Sequence, residues 1–196
     1  MSFWEIAGFA AGAVSVWLYV RQNVWAWPVG IANSLCWFVL FSSARLYLDA
    51  GLQLVYVVLG LIGWIAWLRG DRQGGQLAVR RATGREIAVL SGIGLVATAV
   101  LWRAMVVAGD AAPLADAATA VVSLTAQYML TRKLLGNWWC WIAVDLAYVV
   151  LYTSQGLYLT AALQPLFIVM CVIGLRQWRA SMAAADPGRS ATVAAR

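Results

Sequence analysis

Apolar runs of bilayer length organise this chain from end to end. Phe3 to Val20, Val24 to Ala44, Ala50 to Leu68, Glu86 to Ala108, Pro113 to Thr131, Asn137 to Thr153 and Leu157 to Trp178 are seven such runs, each of 17 to 23 residues. At 1.5 Å of rise per residue, about 20 residues cross the ~30 Å hydrocarbon core of a bilayer. Such runs must be helical, because hydrocarbon offers no partner to an unpaired peptide group. The composition fits the same reading: 63% of the 196 residues are hydrophobic and 11% charged, against roughly 25% charged in soluble domains. Mean hydropathy is +0.78. The expected fold is an all-α integral membrane protein with seven transmembrane helices.

The charges give the helices sides. Cytoplasmic loops collect Lys and Arg. With seven spans, Arg21, Arg69, Arg72, Arg80, Arg81, Arg85, Arg132, Lys133, Arg176, Arg179, Arg189 and Arg196 fall on one side, Arg45 on the other and Arg103 within the fourth span. The N-terminus is therefore expected outside and the C-terminus in the cytoplasm. The net charge of +6 does not point to nucleic acid, since the basic residues sit between apolar runs rather than on one face with exposed aromatics. Met1 to Val20 has no basic leader or small-residue cleavage site and reads as a membrane helix. Residues 180–196, rich in Ala, Arg and Ser, are expected to be a disordered cytoplasmic tail.

Internal similarity divides the chain. Leu46, Tyr47, Leu48, Ala50, Leu52 and Gln53 match Leu157, Tyr158, Leu159, Ala161, Leu163 and Gln164, and further on Gly63 and Trp67 match Gly174 and Trp178, all 111 residues apart. Asn23, Trp25 and Trp27 match Asn137, Trp139 and Trp141 at a spacing of 114. This predicts a first three-helix repeat over 1–68, a loop and connector helix over 69–112, and a second, parallel repeat over 113–179. Parallel repeats about an axis along the membrane normal are a transporter architecture of the SWEET type, suited to alternating access.

Polar groups inside hydrocarbon are costly and usually face a bundle interior or a cavity. Here they are Asn33, Gln53, Gln127, Asn137, Asp145 and Gln164. Trp138, Trp141, Asp145, Tyr148 and Tyr152 follow steps of three, four, three and four along one face of the sixth helix. On the second helix, Asn33, Trp37 and Phe41 are four apart. Aromatic planes beside a few polar groups suit a flat heteroaromatic ligand, and a cationic ring gains further from Asp145. The competing reading is helix-to-helix hydrogen bonding for single Asn or Gln residues and an interfacial aromatic belt for the tryptophans. Trp25, Trp27, Trp67 and Trp178 are assigned to the belt, and both readings stand for Trp138 and Trp141. Pro28 and Pro165 are expected to bend their helices, and Arg103 and Asp116 are close enough to the fourth-to-fifth connection to pair.

Other classes find little support. There is no histidine, Cys36, Cys140 and Cys171 have no paired spacing, and no phosphate-binding glycine loop or nucleophile with a base is present. Neither metal, cofactor nor enzymatic chemistry is expected; a membrane-embedded enzyme or assembly factor is the weaker alternative. A second intramembrane acid that would complete a proton relay with Asp145 is not evident, although a proton-coupled symporter stays open. The glycine-containing spans offer surfaces for a homo-oligomer.

The stretch Arg21-Gln22-Asn23-Val24-Trp25-Ala26-Trp27-Pro28-Val29-Gly30-Ile31 to Asn33, the Leu46-Tyr47 and Leu52-Gln53 pairs, and Asn137-Trp138-Trp139-Cys140-Trp141 to Asp145 resemble the PnuC family of vitamin transporters, over nearly the whole chain to Trp178. The resemblance implies two three-helix bundles joined by the fourth helix in a bacterial inner membrane. It also implies uptake of nicotinamide riboside by facilitated diffusion, with cytoplasmic phosphorylation trapping the substrate. The family's Trp-x-x-Trp motif carries over to Trp138 and Trp141, flanked by Asn137 and Asp145. Asn33, Trp37, Gln53, Gln127, Tyr148 and Gln164 are added as substrate-binding candidates from position and chemistry alone. Relatives in the family are expected to carry thiamine or riboflavin, and all three rings stack on tryptophan.

Overall fold

A computed structural model describes residues 3–70, 75–110, 112–154, 156 and 158–185. Seven helices account for nearly all of them: α1 Phe3–Val20, α2 Ala26–Ser43, α3 Tyr47–Arg69, α4 Gly84–Ala108, α5 Pro113–Thr131, α6 Asn137–Ser154 and α7 Tyr158–Ala184. Four are long and apolar enough to cross a membrane on length and composition alone: α2, α3, α4 and most of α7. The 18-residue α6 misses that mark because it carries polar groups that the bundle encloses, Asn137 and Asp145 among them.

The ends of the helices follow local chemistry. Thr83 caps α4 by accepting from the Glu86 N–H, while the Glu86 carboxylate accepts from the Thr83 N–H, a reciprocal pair that satisfies two otherwise orphaned donors. At the other end Gly109 takes a left-handed φ of 78°. Pro113 opens α5, where its missing N–H costs nothing. Pro28 lies in the first turn of α2 for the same reason, so it marks a start and not the bend expected of it. Pro165 alone lies inside a helix. Helix α7 runs six residues beyond Trp178, so the first residues of the expected tail are helical; 186–196 lie outside the described residues.

Around the bundle the order of packed neighbours is α1, α2, α3, α5, α6, α7 and back to α1. Helix α4 touches α5 only and stands outside this ring, with Ile93, Leu95, Val96, Val100 and Val107 exposed. That apolar exposure is tolerable in lipid and not in water. Deviations from the left-handed-forbidden rule recur in register: Gln22 (φ 53°) and Lys133 (φ 49°) end α1 and α5, and Arg45 (φ 61°) and Gly156 (φ 74°) follow α2 and α6. Both pairs are 111 residues apart. At each of the first two, the chain turns by the same two bonds, Gln22 N–H to Tyr19 O and Asn23 N–H to Leu18 O, then Lys133 N–H to Leu130 O and Leu134 N–H to Met129 O.

The 111-residue spacing corrects the register of the second and sixth helices. Trp27 lies on Gly63, where an added Cβ would meet its ring at 2.2 Å, and Trp138 lies on Gly174, where the distance is 2.5 Å. Ring and glycine recur together at 111, not 114. Asn137 therefore corresponds to Ala26, and the Trp-rich likeness at 114 is coincidental.

Candidate functional site

The ring encloses a cavity of about 320 Å³ to which all six of its helices contribute and α4 does not. On α6 the wall is the expected stripe: Trp138, Trp141, Asp145, Tyr148 and Tyr152 all line it, because steps of three and four keep them on one face. Helix α2 supplies Asn33 and Trp37, α3 Gln53, α5 Gln127 and α7 Gln164. Nine of the ten side chains singled out in the sequence thus meet on one space. The tenth, Asn137, does not: it is fully buried at the start of α6, where its Nδ2 donates to Leu134 O at 2.7 Å. Its Oδ1 is buried without a hydrogen-bond partner among the described residues.

The chemistry of the wall is uneven. Among the described side chains Asp145, 8% exposed, is its one carboxylate, and the Cys171 thiol points at Oδ2 from 3.7 Å. Among the described residues no cationic side chain lines the cavity. A buried carboxylate without a counter-charge is costly, so a cation brought by a ligand would be strongly favoured there. Asn33 Oδ1 and Trp138 Nε1 are buried with no hydrogen-bond partner, an acceptor and a donor left open beside the cavity. Tyr148 stacks on Tyr152 with ring centres 5.3 Å apart, and Trp37 on Phe41 at 5.5 Å.

Comparing positions 111 apart shows where the two sides differ. Gln53 faces its counterpart Gln164, and Trp37 and Tyr148 are both aromatic. Trp141 and Asp145, however, correspond to Gly30 and Ser34, and Val144 to Asn33. At these positions the first half is small and neutral, while the second carries Trp141 and the charge of Asp145.

Several contributors went unrecognised in the sequence. Tyr19 lines the cavity beside Gln127. Tyr56 donates to Ser123 Oγ, which donates on to Ala120 O, linking α3 to α5. The belt assignment fails for three tryptophans: Trp27 and Trp178 are 0% exposed and Trp67 8%. They form a cluster with Tyr19 and Trp138, ring centres 4.9 to 6.1 Å apart, edge-to-face except for the tilted Trp67–Trp178 pair, and Trp138 itself is 2% exposed. Trp25, 65% exposed, is on the surface as a belt residue would be, and Trp139 is 55% exposed. Asp116 lies with Asp110 and Asp49 and not with Arg103; among the described residues the ion pair is Arg80 with Glu86.

Comparison with known proteins places this geometry. The riboflavin/roseoflavin transporter RibM of Streptomyces davaonensis is 29% identical over 180 residues, covering 89% of this chain and 83% of that protein. The nicotinamide riboside transporter PnuC of Escherichia coli K12 is 24% identical over 204 residues, covering 91% and 85%. A crystal structure of the vitamin B3 transporter PnuC has the same fold, with a TM-score of 0.70 at 20% identity over 90% of this chain and 80% of that one. The model of the nicotinamide mononucleotide transporter family matches residues 2–180. This chain, a helical membrane protein with a cavity at the centre of its ring, belongs to that transporter family and not to a family of enzymes.

Proposed function

We propose that the central cavity is the substrate site, and that the chain carries nicotinamide riboside into a bacterial cell by facilitated diffusion. One observation carries the choice of cargo: among the described side chains one carboxylate, without a protein counter-charge, lines the cavity on the same helical face as Trp138 and Trp141. A pyridinium ring stacked on indole and balanced by Asp145 uses both features at once. The open Asn33 Oδ1 and the nearby Gln53, Gln127 and Gln164 suit ribose hydroxyls and a carboxamide. The mechanism follows from the repeat. Helices α1–α3 and α5–α7 form two parallel units joined by α4, and rocking one against the other exposes the cavity alternately to each side.

The end where α1, α3 and α5 finish carries Arg21, Arg69, Arg132 and Lys133, and it faces the cytoplasm by the bias of basic residues. The N-terminus is outside. Lipid covers the exposed face of α4, and a homo-oligomer would bury part of it.

A second reading, riboflavin as cargo, is favoured by the 29% identity to a riboflavin/roseoflavin transporter. The flavin ring is neutral, so it would stack on Trp141 while leaving Asp145 without a partner. Titration calorimetry of the purified protein with nicotinamide riboside, thiamine and riboflavin separates these. Selective binding of the riboside supports the proposal. Selective binding of either other vitamin reassigns the cargo, and no binding by any of them overturns the site.

A further inference from the structure

One end of the ring is sealed by residues that are each other's counterparts in the two halves. Trp67 Nε1 donates to Leu130 O at 3.3 Å, and Trp178 Nε1 donates to Tyr19 O at 3.1 Å. Donors and acceptors are both 111 apart, so this is one bond made twice, from α3 to α5 and from α7 to α1. The two indole rings lie 6.1 Å apart. Beside them Lys133 Nζ donates to Gln22 Oε1 at 3.0 Å and stands 4.5 Å from the centre of the Trp67 ring. Gln22 and Lys133 are counterparts too. Equivalent residues that touch must straddle the axis relating the halves, so both pairs sit on the central path at its basic end.

Lys133 is 3% exposed although it belongs to a helix-ending turn. A strap of chain ahead of α4 covers it: Arg80 N–H donates to Lys133 O, Leu135 N–H donates to Arg80 O, and Val79 is buried in the aromatic cluster. A solvated surface lysine needs none of this.

We infer that the Trp67–Trp178 pair and the Gln22–Lys133 bond form the inner gate, which must part for a ligand in the cavity to leave by the basic end. The inference rests on the transport reading given above. The bonds cross between the halves and join no two helices of the same half, so a rocking motion breaks them together. The two indole donors and the lysine are neutral or single-bonded partners, which lets the seal open without stranding a buried ion pair.

A reversible clamp tests this. In a chain with Cys36, Cys140 and Cys171 replaced by Ser, Gln22→Cys with Lys133→Cys should be bridged by a bifunctional methanethiosulfonate whose spacer replaces the two long side chains that meet at 3.0 Å. In proteoliposomes the bridged protein should take up radiolabelled nicotinamide riboside or riboflavin at least tenfold more slowly, and a reductant should restore the rate. Full-rate uptake by protein whose bridge is verified by mass spectrometry overturns the gate; a pair that does not bridge leaves the decision to the labelling below. Should the unbridged protein move neither compound, the transport reading fails, and the seal is decided by labelling. With Cys171 as the sole cysteine, Trp67→Phe with Trp178→Phe removes both donors and keeps an aromatic ring at each position. A membrane-impermeant maleimide applied at the basic face should then reach Cys171 about tenfold faster, given the few-fold worth of each hydrogen bond. An unchanged rate overturns the gate independently of any cargo.

Discussion

Replacing Gly174 by Ala should damage binding from outside the cavity. A Cβ at that position would stand 2.5, 2.6 and 2.7 Å from Cζ2, Cη2 and Cε2 of Trp138, whereas carbon atoms rest at about 3.5 Å or more. The ring must give way by about 1 Å, and it is the flat face of a tryptophan buried to 2% that is pushed. Overpacking of this kind costs roughly 1–3 kcal/mol of stability. If Trp138 also cradles the ligand ring, loss of its seat forfeits much of a stacking contact of about 1–3 kcal/mol, an increase in Kd of about 5- to 150-fold. Gly63→Ala is the control. It strikes Trp27 just as hard, but Trp27 is not part of the cavity wall, so stability should fall while affinity holds. Calorimetric titration with nicotinamide riboside, beside a thermal melt of each variant, reads both quantities. Unchanged affinity in Gly174→Ala would refute the placement of Trp138 against the ligand.

Asp145→Asn should weaken binding of the cationic riboside by roughly tenfold or more, the scale of a lost charged hydrogen bond, and leave a neutral flavin nearly unaffected; equal losses for both would remove the charge argument. Tyr56→Phe deletes the bond to Ser123 and should lower stability by about 0.6 kcal/mol, the usual worth of such bonds between membrane helices, with a small drop in Tm as the readout. Burial lowers the Lys133 amine to about 8 from its ordinary 10.5. Below pH 8 the folded protein carries the full cost of a buried charge, and between pH 8 and 10.5 the unfolded chain binds more protons, so stability rises. The Tm of the parent should therefore climb relative to Lys133→Met across that window, and a parallel pH course would contradict it.

Helix number and position were legible because a bilayer demands runs of fixed length, and the boundaries moved by only a few residues. The cavity face of α6 was legible for a similar reason, since steps of three and four along one helix are local. The gate was not. Trp27, Trp67 and Trp178 lie near helix ends, as belt residues do, and what distinguishes them is a glycine or a carbonyl on another helix. Such partners are invisible along a single stretch of chain. The signal that could have found them was the 111-residue spacing carried through every element, which pairs Trp27 with Trp138 and Gly63 with Gly174; matching the second and sixth helices at 114 obscured it. Asn137 stands off the cavity wall because its amide turns to the Leu134 carbonyl in the turn before α6, a partner that helical spacing does not reveal.

Uptake of radiolabelled nicotinamide riboside into proteoliposomes, with and without a protonophore, tests the central claim most directly. Facilitated diffusion through the cavity predicts saturable uptake that stops at equal concentrations inside and out, survives collapse of the proton gradient and is lost in the Trp138→Ala, Trp141→Ala double variant. Accumulation above equilibrium that the protonophore abolishes would contradict it, as would uptake that the double variant leaves intact.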